Sequence, residues 1–186
     1  MGRREIRIAG FGGQGVVLAG NIVGQAAAVY DKKYAALTQN YGPESRGGSC
    51  TAEVVVSEEP IAYPYLTRPD LVVILSQDAY YKYGQGLPVT TQLIIDPDLV
   101  KPDPVDKHPY LSIPANRIAR EMGRVVVANI VLIGFLAAVG NFSSPEALRK
   151  SVLASVPKGT TEFNVKAFDQ GFNRGLEYAK QIERSR

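Results

Sequence analysis

Two residue types that bind metals and carry out catalysis are nearly missing from this chain of 186 residues, which has one cysteine and one histidine. The single cysteine, Cys50, excludes a disulfide within the chain and any zinc or iron–sulfur site that takes four cysteines from it. The histidine, His108, lies in a proline-rich segment, where we interpret it as a surface residue. We therefore expect neither a metal site nor a catalytic residue in this chain.

Long apolar runs and an excess of one charge are also lacking. The longest apolar segment, residues 125–140, is shorter than the roughly 20 residues that cross a bilayer. The charged segment MGRREIRIAG contains no signal-peptide core. Basic residues outnumber acidic ones by 21 to 18, and they are dispersed along the chain. We therefore expect a cytoplasmic protein that contacts neither membranes nor nucleic acids.

The segment IRIAGFGGQGVVLAG contains Gly10, Gly12 and Gly15 in the order G-x-G-x-x-G. An apolar strand precedes the glycines and a helical pattern over 16–29 follows them, so the segment predicts a strand, a tight turn and a helix. The unpaired N–H groups at such a helix start attract anions or carbonyl oxygens. The alternative is that the small residues only let the helix pack closely on the sheet.

Dinucleotide binding would require a carboxylate about 20 residues further on, at the end of the second strand. The predicted second strand, residues 33–39, is followed by Asn40, and Asp31 lies before it. The dinucleotide fingerprint is therefore incomplete.

Alternating strand and helix patterns predict an α/β fold in one domain, residues 1–186. We expect three layers, α/β/α, with a mixed, mostly parallel sheet of five or six strands, a Rossmann-like first βα unit and a helical C-terminal part. The segments 33–39 and 50–57 are too close in sequence for a crossover helix, which favours an antiparallel pair. Further strands are predicted at 71–76, 91–96 and 110–114.

Helix starts and one buried amide can be predicted in more detail. Ser144, followed by Pro145, has the features of a helix cap, and Asn164 is predicted to cap the last helix. The apolar segment 125–140 is expected in the core or against another subunit. Within it we expect Asn129 to be hydrogen-bonded inside the fold or at the interface, because an unpaired buried amide costs about 1–3 kcal/mol.

The loop QNYGPESRGGS, residues 39–49, combines turn-forming residues with Glu44 and Arg46. If it lies beside the first glycine turn, the two form one polar rim at the carboxyl edge of the sheet, where α/β proteins bind ligands. The alternative is a surface turn with solvated charges.

Together, GFGGQGV, YGPESRGG and PDLVVILSQDAYYKY resemble the gamma subunit of the 2-oxoacid:ferredoxin oxidoreductases, over about residues 5–180. The family oxidises pyruvate, 2-oxoglutarate, 2-oxoisovalerate or indolepyruvate. Ser45 departs from the pattern, because many relatives have methionine there. That departure puts in doubt any apolar contact from this position.

The resemblance implies a complex that decarboxylates a 2-oxoacid on thiamine diphosphate and releases an acyl-CoA. Electrons pass through iron–sulfur clusters to ferredoxin or a similar acceptor. The chain has neither a G-D-G motif for magnesium diphosphate nor a cysteine cluster, so these cofactors would belong to alpha, beta and ferredoxin-like delta subunits. This chain would bind no cofactor alone, and would pack on the thiamine-binding subunits and help to form the substrate or CoA entrance.

Within that resemblance, the backbone amides of Gly12, Gly13, Gln14 and Gly15 are candidates to bind a partner loop or an anionic CoA group. Arg46 would bind a carboxylate or phosphate, and Glu44 would orient Arg46 or pair with a neighbouring subunit. The other candidate residues in the two loops are Gly10, Tyr41, Gly42, Gly47 and Gly48.

A dense group of tyrosines surrounds two other loops and offers candidate partner contacts, because tyrosine buries a large area and keeps a polar tip. Its members are Tyr63, Tyr65, Tyr80, Tyr81 and Tyr83. The alternative is ordinary partial burial.

Two other functions stay open from the residues: a self-sufficient nucleotide-binding oxidoreductase, and a module that binds CoA or a nucleotide without a catalytic partner. The favoured substrate among the 2-oxoacids is 2-oxoglutarate. We also expect that the isolated chain can self-associate through the face meant for its partners.

Overall fold

A computed structural model describes residues 2–42 and 47–184 of the chain. Its six-stranded sheet has the spatial order β2-β3-β1-β4-β5-β6. The strands are β1 (Arg4–Phe11), β2 (Tyr34–Tyr41), β3 (Ser49–Ser57), β4 (Leu71–Ile74), β5 (Gln92–Ile95) and β6 (Tyr110–Ser112). The helices are α1 (Val16–Gln25), α2 (Gln77–Tyr83), α3 (Ala115–Glu121), α4 (Ala128–Val139), α5 (Pro145–Ser155) and α6 (Thr161–Arg184).

Only one of the six strands runs against the others. β3 pairs antiparallel with both β1 and β2, while β1, β4, β5 and β6 pair in parallel. The predicted mixed, mostly parallel sheet and the antiparallel pairing of β2 with β3 are therefore confirmed. The first βα unit departs from a Rossmann arrangement in one respect, because β3 lies between β1 and β2.

The layers on the two faces of the sheet are unequal. α1 and the C-terminal helices share one large apolar core with Ile8 of β1 and Val54 of β3. On the opposite face, a smaller core joins Tyr80 of α2 to Val72 and Ile95 in the parallel half of the sheet. The three-layer prediction holds, with most of the helical mass on one side.

α4 lies at the centre of the larger core, and Asn129–Ala137 are all buried. Its packing against α6 depends on glycines at the contact. A Cβ on Gly134 would overlap the carbonyl oxygen of Phe168, and a Cβ on Gly171 would overlap that of Val131. Most of the predicted apolar segment therefore lies in the core, while Val125 and Val126 at its start are exposed. None of the helices in the described part of the chain has the length and apolar character of a membrane span.

The helix starts bear out one sequence prediction and correct another. Ser144 caps α5, with its Oγ accepting from the N–H of Ala147 at 3.1 Å. Asn164 does not cap α6, because a 3-10 turn at Lys158–Thr160 leads directly into that helix at Thr161. The Nδ2 of Asn164 instead donates to the carbonyl of Thr160 at 2.9 Å.

Candidate functional site

The glycine turn lies at the carboxyl edge of the sheet, between the end of β1 and the start of α1. Gly13 and Gly15 have positive φ values of 94° and 74°, a backbone conformation that glycine adopts without strain. Gly15 is the residue that caps α1, and it forms no side-chain cap. The turn therefore presents the positive end of the α1 dipole at this edge.

The side chain of Gln14 holds this turn from the inside. Its Oε1 accepts from the N–H of Phe11 at 2.6 Å, and its Nε2 donates to the carbonyl of Leu75, after β4, at 2.8 Å. A Cβ on Gly10 would overlap that Oε1, so the absence of a side chain at Gly10 makes room for Gln14. Gln14 thus ties the ends of two neighbouring strands together.

Two of the four backbone amides that the sequence offers to a ligand are already engaged. The N–H of Gly12 donates to the carbonyl of Gly48 at 2.8 Å, and that of Gln14 donates to Phe11 at 3.2 Å. Gly13 and Gly15 have no N–H partner among the residues that the structure describes. Within the described residues, the unpaired donors of the turn are therefore Gly13 and Gly15.

The two glycine-bearing loops lie side by side, as the polar-rim prediction requires. Besides the bond from Gly12, a Cβ on Gly12 would lie 3.4 Å from the backbone nitrogen of Gly47. The N–H of Gly42 donates to Ser49 at 2.7 Å, which closes the base of the second loop. Tyr41 is 65% exposed, while Glu44 and Arg46 lie outside the described residues.

Beside the glycine turn, α3 and the start of α4 enclose a cavity of about 350 Å³. Among the described residues its polar side chains are three carboxamides, Gln14, Asn116 and Asn129, and none of the described residues that line it is charged. We call it the neutral cavity. The sequence analysis did not single out Asn116, which the buried Asp96 positions by accepting from both its backbone N–H and its Nδ2.

A second cavity, of about 320 Å³, lies on the other side of Asn129 and is called the middle cavity. Apolar side chains such as Val126, Ile130 and Phe163 form much of its wall. It shares Gly13, Val126 and Asn129 with the neutral cavity.

A third, more open cavity of about 550 Å³ adjoins the second one at the start of α6 and is called the basic cavity. Three cations, Arg124, Lys158 and Lys166, line it beside one carboxylate, Glu162. Arg124, Thr160 and Phe163 line both the middle and the basic cavities, so the three cavities adjoin one another, and together they are called the groove. Arg124 is distant in sequence from Lys158 and Lys166, so the three cations form no local motif.

The tyrosine prediction needs one correction. Tyr80 is only 1% exposed and belongs to the smaller core, where its hydroxyl donates to Asp106 at 3.1 Å and accepts from the N–H of Asp103 at 3.2 Å. Tyr63, Tyr65 and Tyr81 are more than half exposed and remain candidate contacts.

The residues present do not fit a resident metal cluster. No group of three or more histidine, cysteine, aspartate or glutamate residues comes together within residues 2–42 and 47–184. Cys50 is buried at the start of β3, and burial raises the pKa of its thiol. A buried, neutral thiol is a poor ligand and a poor nucleophile.

Comparisons with known proteins agree with this architecture. The family model described as pyruvate ferredoxin/flavodoxin oxidoreductase matches residues 5–174. The chain is 48% identical to the 2-oxoglutarate synthase subunit KorC of Methanocaldococcus jannaschii, over 97% of this chain and 96% of that protein.

Two solved structures share the fold. The keto/oxoacid ferredoxin oxidoreductase gamma subunit of Geobacter sulfurreducens has a TM-score of 0.83 at 38% identity, over 95% of this chain and 98% of that one. The 2-oxoglutarate:ferredoxin oxidoreductase of Magnetococcus marinus, solved with 2-oxoglutarate, coenzyme A and succinyl-CoA, has a TM-score of 0.83 over 95% of this chain and 32% of that one. At 23% identity, the second likeness shows the fold alone.

Proposed function

The chain belongs to the pyruvate ferredoxin/flavodoxin oxidoreductase family, and on that premise we propose that it is the gamma subunit of a complex that oxidatively decarboxylates 2-oxoglutarate to an acyl-CoA. The substrate is inferred from the archaeal relative, which is named a 2-oxoglutarate synthase subunit and matches over almost its whole length. The role of gamma subunit is supported by the solved structure at 38% identity.

In this proposal the chain is accessory and works in the cytoplasm. Thiamine diphosphate, magnesium and the iron–sulfur clusters belong to the alpha, beta and ferredoxin-like delta subunits, and ferredoxin or a similar acceptor takes the electrons. The single cysteine of this chain agrees with that division of labour. The exposed Tyr63, Tyr65 and Tyr81 are candidate contacts to those subunits.

One observation supports the CoA part of the proposal: the groove changes from cationic to neutral along its length. The basic cavity offers Arg124, Lys158 and Lys166, while the neutral cavity has no charged side chain among the described residues that line it. CoA has the matching distribution, with phosphates at one end and an uncharged arm at the other. Arginine and lysine are common phosphate-binding residues.

The first glycine turn borders this groove through Gly13, Gln14 and Gly15, and the second loop lies beside that turn. We propose that the N–H groups of Gly13 and Gly15 face the ligand or a partner loop, and that Arg46 and Glu44 act there from the second loop. Tyr41, Gly42, Gly47 and Gly48 shape the same rim. Gly12 and Gln14 support it through the hydrogen bonds described above, and Gly10 leaves room for Gln14.

The test is to coexpress the chain with the neighbouring oxidoreductase subunits, purify the complex, and measure CoA-dependent reduction of ferredoxin. We expect a kcat/KM for 2-oxoglutarate at least about tenfold above those for pyruvate and 2-oxoisovalerate, a difference of about 1.4 kcal/mol in transition-state binding. A preference for another 2-oxoacid would contradict the substrate. Failure of the chain to copurify would contradict the subunit role.

The nucleotide-binding alternative is not favoured, because β2 ends in Gln39, Asn40 and Tyr41 and not in a carboxylate. Titration of the chain with NAD, NADP, FAD and CoA checks this alternative. Tight binding of a dinucleotide would support the alternative and weaken the proposal.

A further inference from the structure

The side chain of Asn129 is deeply buried but incompletely hydrogen-bonded. Asn129 is 6% exposed, yet its Oδ1 has no hydrogen-bond partner among the residues that the structure describes. The sequence predicts that Asn129 is hydrogen-bonded inside the fold or at the interface, and within the described part of the chain its Oδ1 makes no such bond. Buried polar groups without partners are uncommon in native folds, and each one requires an explanation.

The position of Asn129 points to a ligand. It lies in the first turn of α4 and lines both the neutral and the middle cavities. Its carboxamide packs against Gly15, where a Cβ would overlap Nδ2 and Cγ of Asn129. The glycine at 15 thus lets the amide lie directly beside the dipole end of α1, at the point where the two cavities meet.

The surroundings of Asn129 determine which ligand chemistry fits. Val126 lines both cavities, and Leu132 and Ile130 each line one, so the walls next to the carboxamide are mainly apolar. Of the cations of the groove, Lys158 and Lys166 line only the basic cavity, and Arg124 lines the middle cavity as well. A phosphate has only acceptors at neutral pH and gains most from those cations, whereas an amide offers an N–H to Oδ1 and a carbonyl to Nδ2.

We propose that Asn129 is a ligand-binding residue whose carboxamide pairs with an amide of the uncharged arm of the acyl-accepting thiol. This inference rests on the proposed function, in which that thiol is CoA. Asn129 then selects for the arm, while the basic cavity selects for the phosphates. The unpaired Oδ1 is satisfied when the arm is bound.

Asn129→Leu tests the pairing, because leucine has a similar size and no hydrogen-bonding group. The assembled complex is titrated with CoA by calorimetry, without oxoacid. We expect a Kd for CoA about tenfold higher than that of the wild-type complex. The control is Asn173→Leu, an exposed asparagine of α6 outside the groove, which should leave the Kd unchanged.

A second ligand and a second variant separate this inference from the proposed function. Pantetheine carries the amides without the phosphates, so Asn129→Leu should raise its Kd by the same factor, and Lys158→Ala should raise the Kd of CoA alone. Unchanged affinities in Asn129→Leu together with weaker CoA binding in Lys158→Ala would overturn the inference and leave the proposed function standing. Unchanged CoA affinity in both variants would overturn both.

A merely structural role for Asn129 would change other quantities. Loss of a structural amide would lower the temperature at which the complex loses its activity, with CoA affinity unchanged. We expect the reverse, with undiminished thermal stability, because leucine replaces an unpaired buried amide by hydrocarbon. Reduced stability at unchanged affinity would contradict the proposal.

Discussion

The hydrogen bonds of Gln14 stabilise the glycine turn itself. Its side chain joins Phe11 to Leu75, and its own N–H closes the turn onto Phe11. A sequence motif marks where donors are concentrated, but it does not show which of them the turn itself uses. Only the three-dimensional arrangement shows that Gly13 and Gly15 have N–H groups without a partner among the described residues.

Glu5 is a buried carboxylate, only 3% exposed, that anchors the segment before β4. It accepts from the N–H groups of Thr67 and Arg68 at 2.6 and 2.7 Å and from Arg3 at 2.8 Å. Burial by itself would raise the pKa of Glu5, but the hydrogen bonds from Arg3, Arg68 and Thr67 outweigh it, so the pKa is lowered from 4.5. The ionised form therefore stabilises the fold.

The lowered pKa of Glu5 sets the direction of a pH dependence. Its contribution is complete above the unfolded value near 4.5 and is lost as the pH falls through the lower, folded pKa. We expect Glu5→Gln to lose about 1–3 kcal/mol of unfolding free energy at pH 7 and to converge with the wild type toward pH 3. Thermal unfolding from pH 7 to pH 3 measures this.

The matched control is Glu59→Gln, an exposed glutamate in the same region. Its unfolding curves should follow those of the wild type throughout. A Glu5→Gln protein as stable as wild type at pH 7 would contradict the anchoring role.

Arg46 carries a prediction from sequence, because it lies outside the described residues. As a planar, charged fork in the second loop, it should bind a carboxylate or phosphate. We expect Arg46→Ala to raise the KM for CoA about tenfold, or to weaken assembly of the complex, through loss of one charge-assisted hydrogen bond. Steady-state kinetics and gel filtration report the two effects, and no change in either would remove Arg46 from the site.

At the level of elements, the close contact between α4 and α6 provides the most sensitive test of packing. Gly171 lets the backbones approach so closely that any side chain there would overlap the carbonyl of Val131. We expect Gly171→Ala to cost about 3 kcal/mol or more, since the helices must separate. Chemical denaturation measures the loss.

Gly24, in α1, provides the control for that substitution. A Cβ there would meet only Val54, at 3.9 Å. Gly24→Ala should therefore be neutral or stabilise by about 0.5–1 kcal/mol, because alanine is the better helix former. Equal effects of the two substitutions would show that helix propensity, and not close packing, decides at Gly171.

Most of the fold could be predicted from the sequence, because the patterns that indicate strands and helices are local. Apolar strand patterns that alternate with helical ones predicted the strands. Ser144 followed by Pro145 predicted the start of α5. The errors came from tertiary contacts. Asn164 has the composition of a cap but lies inside α6, and β3 enters the sheet between β1 and β2 without any local sign.

The candidate site was predictable only where it is contiguous in sequence. The two glycine-bearing loops were found as motifs, and their proximity followed from the rule that parallel strands end at one edge. Arg124, Lys158 and Lys166 were missed. Arg124 lies before α4, whereas Lys158 lies before α6 and Lys166 within it, and only the packing of α4 against α6 brings them together. Asn129 was noticed as a buried amide, but its lack of a partner required the structure.

At the level of the whole molecule, the unequal layers fit a subunit that works through its neighbours. Its large core stabilises one face of the sheet, its groove ends in cations at the surface, and the residues described form no metal or cofactor cluster. In the proposed function, such a subunit binds and positions a substrate, and partner chains carry out the chemistry.

The most direct test is to reconstitute the enzyme from its subunits with this chain left out and then added back. We predict that 2-oxoglutarate-dependent reduction of ferredoxin in the presence of CoA is lost without the chain and restored when it is added, while the chain alone shows no turnover. Full activity in its absence, or oxidation of a substrate by the isolated chain, would contradict the account.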